Sequence, residues 1–178
     1  MFRRFLIGSM VALIVICGVS FALLAHWWNN SSDVAHVHEV AQRIADFELP
    51  PGYRPDYAVD VLGFSIAAYR SADGKGHLAF VMGPVGIVPD EGVVQGYVVN
   101  TSRHEDWREN RVLRTEDRMV RGASATISFS ERINGEGVPY RNLNLVFTGK
   151  SGNALLVVNE PVSAWNDAAI EALIASLG

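Results

Sequence analysis

Positions 5–25 form an uncharged, largely apolar run of 21 residues, and no later stretch of the chain resembles it. At ~1.5 Å rise per residue, a helix of that length spans roughly 31 Å, the thickness of a bilayer's hydrocarbon core. The pattern then changes. Val34, Val37, Ala41 and Ile44 recur at three and four, which predicts a helix to about residue 45 capped by Asp33 or Ser32. Phe47, Glu48 and Leu49 read as a short strand stopped by Pro50, Pro51 and Gly52. Positions 64–71 and 77–85 are rich in β-branched and aromatic residues, and Asp73-Gly74-Lys75-Gly76 joins them as a hairpin. Val93, Val94, Tyr97 and Val98 predict a helix over 90–100, weakened by Gly92 and Gly96. Positions 111–121, 123–131, 140–148 and 154–159 read as strands, the last three a meander joined by glycine-bearing turns. A closing helix over 165–177 has Trp165, Ile170, Leu173, Ile174 and Leu177 on its apolar face, with Asn166 or Ser163 as cap.

The expected fold class is α+β: a single N-terminal transmembrane helix, then an antiparallel sheet of six or seven strands flanked by helices. Residues 1–28 form the cytoplasmic start and anchor, 29–45 a linker and juxtamembrane helix, and 46–178 the extracytoplasmic domain.

Charge orients this arrangement. Arg3 and Arg4 precede the apolar run, whereas all 19 Asp and Glu and 13 of the 15 Lys and Arg follow it, leaving the downstream part net −6. The positive-inside bias therefore keeps the N-terminus cytoplasmic and exports the domain, which places the protein in the inner (cytoplasmic) membrane with a periplasmic domain. His26, Trp27 and Trp28 close the run at the membrane interface, where indole rings favour the headgroup layer. A cleaved signal peptide is the competing reading, with Ser20-Phe21-Ala22 as its cleavage site. An acidic exported domain without a long basic block is a poor nucleic-acid binder. Cys17 is the sole cysteine and lies within the apolar run, so the domain has no disulfide to rely on.

Residues 44–53, Ile-Ala-Asp-Phe-Glu-Leu-Pro-Pro-Gly-Tyr, resemble the opening of PsbP-like and DcrB-like domains. The order hairpin, central helix, meander and closing helix over 44–178 is similar to theirs as well. The resemblance implies an α/β/α sandwich around an antiparallel sheet. It further implies a role like that of extrinsic subunits or assembly factors of photosynthetic complexes, or of bacterial lipoproteins. It carries no catalytic residues over. This chain departs from those families in having a transmembrane anchor.

Candidate sites are sparse. Gly8, Ala12, Gly18, Ala22 and Ala25 fall within an arc of about 140° on the anchor helix, and two small-xxx-small pairs allow close packing against another membrane helix. Chance placement of common residues is the plain alternative. His26 could ligate a pigment or haem, the one cofactor the sequence suggests, although a polar interfacial residue beside two Trp explains it better. His36-x-His38-Glu39 puts its two imidazoles about 200° apart on a helix, which suits a solvated face better than a metal. Six arginines interleave with five acids over 103–121, and Trp107 and Arg108 within that stretch are candidate partner-interface anchors. Gly122-Ala123-Ser124-Ala125-Thr126 lacks the second glycine of a nucleophile elbow, and Gly149-Lys150-Ser151 lacks the upstream glycine of a phosphate loop.

The sequence thus points to a non-catalytic accessory or structural subunit of a larger membrane complex, photosynthetic or respiratory. Its expected partners are other transmembrane subunits and the lipid bilayer. The alternative is a membrane-tethered small-ligand or lipid-binding envelope domain, which an apolar cavity above roughly 300 Å³ would favour.

Overall fold

The computed structural model describes residues 32–61, 63–89 and 107–177. The apolar run with Gly8, Ala12, Gly18, Ala22, Ala25, His26, Trp27 and Trp28, and the helix expected over 90–100, lie outside the described residues. Among the described residues, no helix is long and apolar enough to cross a membrane.

Helix α1 (Val34–Ile44) begins where Asp33 accepts a hydrogen bond from the Ala35 N–H at 3.0 Å, and buries Val37, Val40, Ala41 and Ile44. The strand expected at 47–49 is not formed. Residues 45–50 are irregular, because Pro50 and Pro51 cannot donate to a ladder and the Glu48 N–H is taken by Ser176 Oγ at 2.9 Å. Phe47 instead turns inward, its ring 4.4 Å from that of Phe80 and 5.9 Å from that of Tyr69.

The first strand is β1 (Tyr53–Val61), which the hydrophobic pattern does not predict. Pro55, Asp56 and Asp60 hide it from a pattern search. They are tolerated because β1 is an edge strand whose register slips between Pro55 and Tyr57. The expected hairpin follows as β2 (Phe64–Ser71) and β3 (His77–Met82). β3 stops three residues earlier than expected, where Gly83-Pro84 turns the chain and the Ile87 N–H donates to the Pro84 carbonyl.

The second half contains β4 (Arg108–Val120), β5 (Ala123–Ile133), β6 (Pro139–Thr148) and β7 (Asn153–Pro161), then helix α2 (Asp167–Ser176) capped by Asn166. All seven strands join one antiparallel sheet in the order β1-β2-β3-β7-β6-β5-β4. The chain thus leaves the middle of the sheet after β3, re-enters at the far edge as β4, and winds back until β7 pairs with β3.

Both described helices pack on the same face. Ile44, Phe80, Ile127, Leu145, Leu156 and Leu173 are among the side chains buried in that layer, each contributing about 1.5–3 kcal/mol. The opposite face carries a smaller apolar cluster of Ile66, Ala68, Ala79, Val81, Leu155 and Val157. Beyond it lies a polar row that includes Arg70, paired with Asp56 at 2.9 Å, and His77. Burial and the Arg70 charge hold the His77 imidazole below its ordinary value, in the neutral form.

Candidate functional site

β4 forms one rim of the sheet, and among the described residues its outer backbone edge has no neighbour in the strand order. Its 13 residues alternate between the two faces, with irregularities at Arg108/Asn110 and Val112/Arg114. Arg111, Arg114, Glu116 and Arg118 register with Glu131, Phe129, Ile127 and Ala125, and so share the helix-bearing face. Val112, Thr115, Asp117 and Met119 point to the other face. Val112 is 60% and Met119 71% exposed.

Of the two interface anchors read from the sequence, Arg108 is exposed at the start of β4. Trp107 is half-buried, its ring edge-on to Tyr140 at 5.3 Å. The indole therefore braces the start of β4 against β6 and offers a partner only its remaining surface.

On the helix-bearing face the arginines organise the seam between sheet and α2. Arg118 holds Glu171 through both carboxylate oxygens and pairs with Glu116 at 2.6 Å. These bonds draw the Glu171 carboxyl below its ordinary value and raise the Arg118 guanidinium. Arg114 reaches Glu171 only at 3.7 Å and lies over Phe129, its guanidinium carbon 3.9 Å from the ring centre. Glu131 is shared by Arg141 and Arg111, each at 2.8 Å, and their hydrogen bonds depress its carboxyl as well. Arg141 also faces Trp165, whose ring stands edge-on to Phe129 at 6.4 Å.

These residues enclose a cleft of about 260 Å³ lined by Leu113, Arg114, Phe129, Arg141 and Asp167. The sequence reading did not assemble it. Arg114 and Leu113 were visible as part of an arginine-rich stretch, but Phe129, Arg141 and Asp167 come from three other elements and follow no local spacing.

A second polar cluster lies on the same face, between β7 and β1. The Tyr53 hydroxyl donates to Glu160 Oε1 at 2.6 Å, and Glu160 is 8% exposed. Burial pushes both groups up, the tyrosine further because the adjacent carboxylate opposes its ionisation. His38, from the sequence pattern His36-x-His38-Glu39, turns toward the sheet, with Nδ1 3.4 Å from the Tyr69 hydroxyl and the two rings 5.8 Å apart. Among the described residues, no three His, Cys, Asp or Glu side chains gather where they could hold a metal ion.

Comparison with solved structures adds a likeness of fold. The chain is similar to the solution structure of cyanobacterial PsbP (CyanoP) from Synechocystis sp. PCC 6803, at 15% identity, covering 76% of this chain and 93% of that one with a TM-score of 0.45. No protein-family model and no curated protein matches the chain. At that identity and overlap, the likeness assigns no role to any residue.

Proposed function

We propose that this chain is a non-catalytic accessory or structural subunit of a larger membrane protein complex, tethered by its N-terminal apolar segment and docked through the β4 edge. The observation that carries the reading is β4 itself. It is a 13-residue rim strand with a backbone edge left open among the described residues, exposed Val112 and Met119, and four arginines in a chain of net charge −4. Such an edge can add a strand from a neighbour through main-chain hydrogen bonds, while apolar side chains set the register. The fitting partner is another protein subunit with an apolar strip beside a carboxylate, which would meet the exposed Arg108 at the start of β4. Glycines and alanines at 8, 12, 18, 22 and 25 would let the anchor pack against that subunit's own membrane helix. The resemblance of residues 44–178 to PsbP-like domains directs the first search to photosynthetic or respiratory assemblies.

The test is gentle detergent solubilisation and recovery through a C-terminal tag, with quantification of what co-migrates. A neighbour at fixed stoichiometry is expected from the native chain. The double variant Val112→Asp, Met119→Asp should lose it with a stability change within about 0.5 kcal/mol, since both side chains are exposed. Gly18→Leu with Ala22→Leu should weaken the same association from the membrane side. Recovery of a lone monomer from native membranes overturns the proposal.

A further inference from the structure

The cleft between β4, β5, β6 and the start of α2 has an uneven polar economy. Two guanidiniums and one carboxylate line it, and the carboxylate is already engaged, since Asp167 Oδ1 accepts the Trp165 indole N–H at 2.8 Å. Glu171, the acid that Arg114 pairs with, is held through both oxygens by Arg118 and lies 3.7 Å from Arg114, beyond hydrogen-bond reach. Glu131 already serves two arginines. Arg141 Nε is buried without a hydrogen-bond partner among the described residues. Donors therefore outnumber acceptors at the cleft wall.

The apolar side of the cleft is equally defined. Phe129 forms the floor and Leu113, 39% exposed, stands at the mouth. The Arg114 guanidinium carbon sits 3.9 Å from the centre of the Phe129 ring, which holds the cation at the cleft wall.

We propose that this cleft binds a small carboxylate with a flat apolar body. The carboxylate would take in-plane hydrogen bonds from Arg114 and from Arg141, and the body would lie between Leu113 and Phe129. Guanidinium forks match carboxylates in geometry and bind them in charge-assisted pairs. At about 260 Å³ the cleft admits a single ring and a short acid chain, and falls below the ~300 Å³ where larger ligands begin. The site is separate from the docking reading, because Val112 and Met119 occupy the other face of β4.

The test uses the full-length chain in a nonionic detergent, titrated calorimetrically with 3-phenylpropionate, its amide, 3-phenylpropylamine and inorganic phosphate. Saturable 3-phenylpropionate binding is expected with Kd on the order of 1 mM, reasonable for so small a ligand. It should weaken at least tenfold in 1 M NaCl and in Arg114→Gln and Arg141→Gln. The amide and the amine should not saturate. Should an arginine variant fail to fold, Leu113→Glu places a repelling carboxylate at the solvent-exposed mouth and should abolish binding with an unchanged melting temperature. Absent saturation, equal binding of the amine or of phosphate, or undiminished binding to folded Leu113→Glu each overturns the proposal. The Val112→Asp, Met119→Asp variant should keep full 3-phenylpropionate binding, so loss of docking and loss of the cleft site are read independently.

Discussion

Two single positions carry strain that the sequence does not announce. Arg121 has φ 53° and Gly122 φ 74°, so the two residues joining β4 to β5 both sit in the left-handed region, as a tight two-residue hairpin turn requires. Glycine does this freely, whereas arginine pays for its Cβ. Arg121→Asn should raise stability by about 1 kcal/mol in chemical denaturation, with an unchanged dependence on denaturant. Glu160 is the other position. Its folded carboxyl titrates above the ordinary 4.5, mainly through burial, so the ionised form is disfavoured in the fold. Below pH 4.5 the group is neutral folded or unfolded and costs nothing. As pH rises past that value the unfolded chain ionises first and stability falls. Glu160→Gln retains an acceptor for the Tyr53 hydroxyl and removes the charge. Its melting temperature should exceed that of the native chain at pH 7, and the gain should vanish by pH 4. An equal gain at both pH values would show that charge is not the cause.

At the scale of elements, local pattern and long-range contact divide the credit. The apolar spacing of α1, the glycine turns of the meander and the apolar face of α2 each specify their element without help from elsewhere, and each forms within a few residues of its expected bounds. β1 was illegible because a proline and two aspartates interrupt its alternation, and only the neighbouring β2 supplies the ladder that makes it a strand. Residues 47–49 misled in the opposite sense. They have strand composition but no neighbour to bond, and their apolar members pack into the helix-bearing layer instead. The join between α1 and the meander rests on one close approach. The Lys150 N–H donates to the Ile44 carbonyl at 2.8 Å, and a Cβ at Gly149 would stand 2.9 Å from that carbonyl oxygen and 3.1 Å from the Ala154 Cβ. Gly149→Ala should therefore cost about 1–3 kcal/mol, measured by denaturation, by pushing the end of α1 off the β6–β7 turn. A neutral result would mean that this turn yields without loosening the helix.

The whole molecule joins a sheet to a proposed tether, and its two ends require different tests. For the membrane end, protein sequencing of native material should begin within the first residues of the chain. A start after Ala22 would remove the anchor, and with it the helix-packing role of Gly8, Ala12 and Gly18. For the domain end, the β4 edge and the cleft behind it lie on opposite faces of one strand, so a neighbour and a small ligand could be accommodated together. The cleft was beyond the reach of sequence reading because its arginines, aromatic floor and acid come from β4, β5, β6 and α2. Only sheet order brings Arg141 beside Phe129 and Arg114.

The amino-acid order alone determined the elements whose information is local: a helix from the spacing of its apolar residues, a hairpin from its glycines, and an apolar run from its length. Hydrophobic periodicity and turn chemistry act over a few residues, which is why they can be read one segment at a time. Tertiary structure decided the rest, namely that β7 rather than β4 pairs with β3, that β4 is left as a rim, and that both described helices share one face. Those outcomes depend on which surfaces bury each other across more than seventy residues of chain, and no window of sequence contains that comparison.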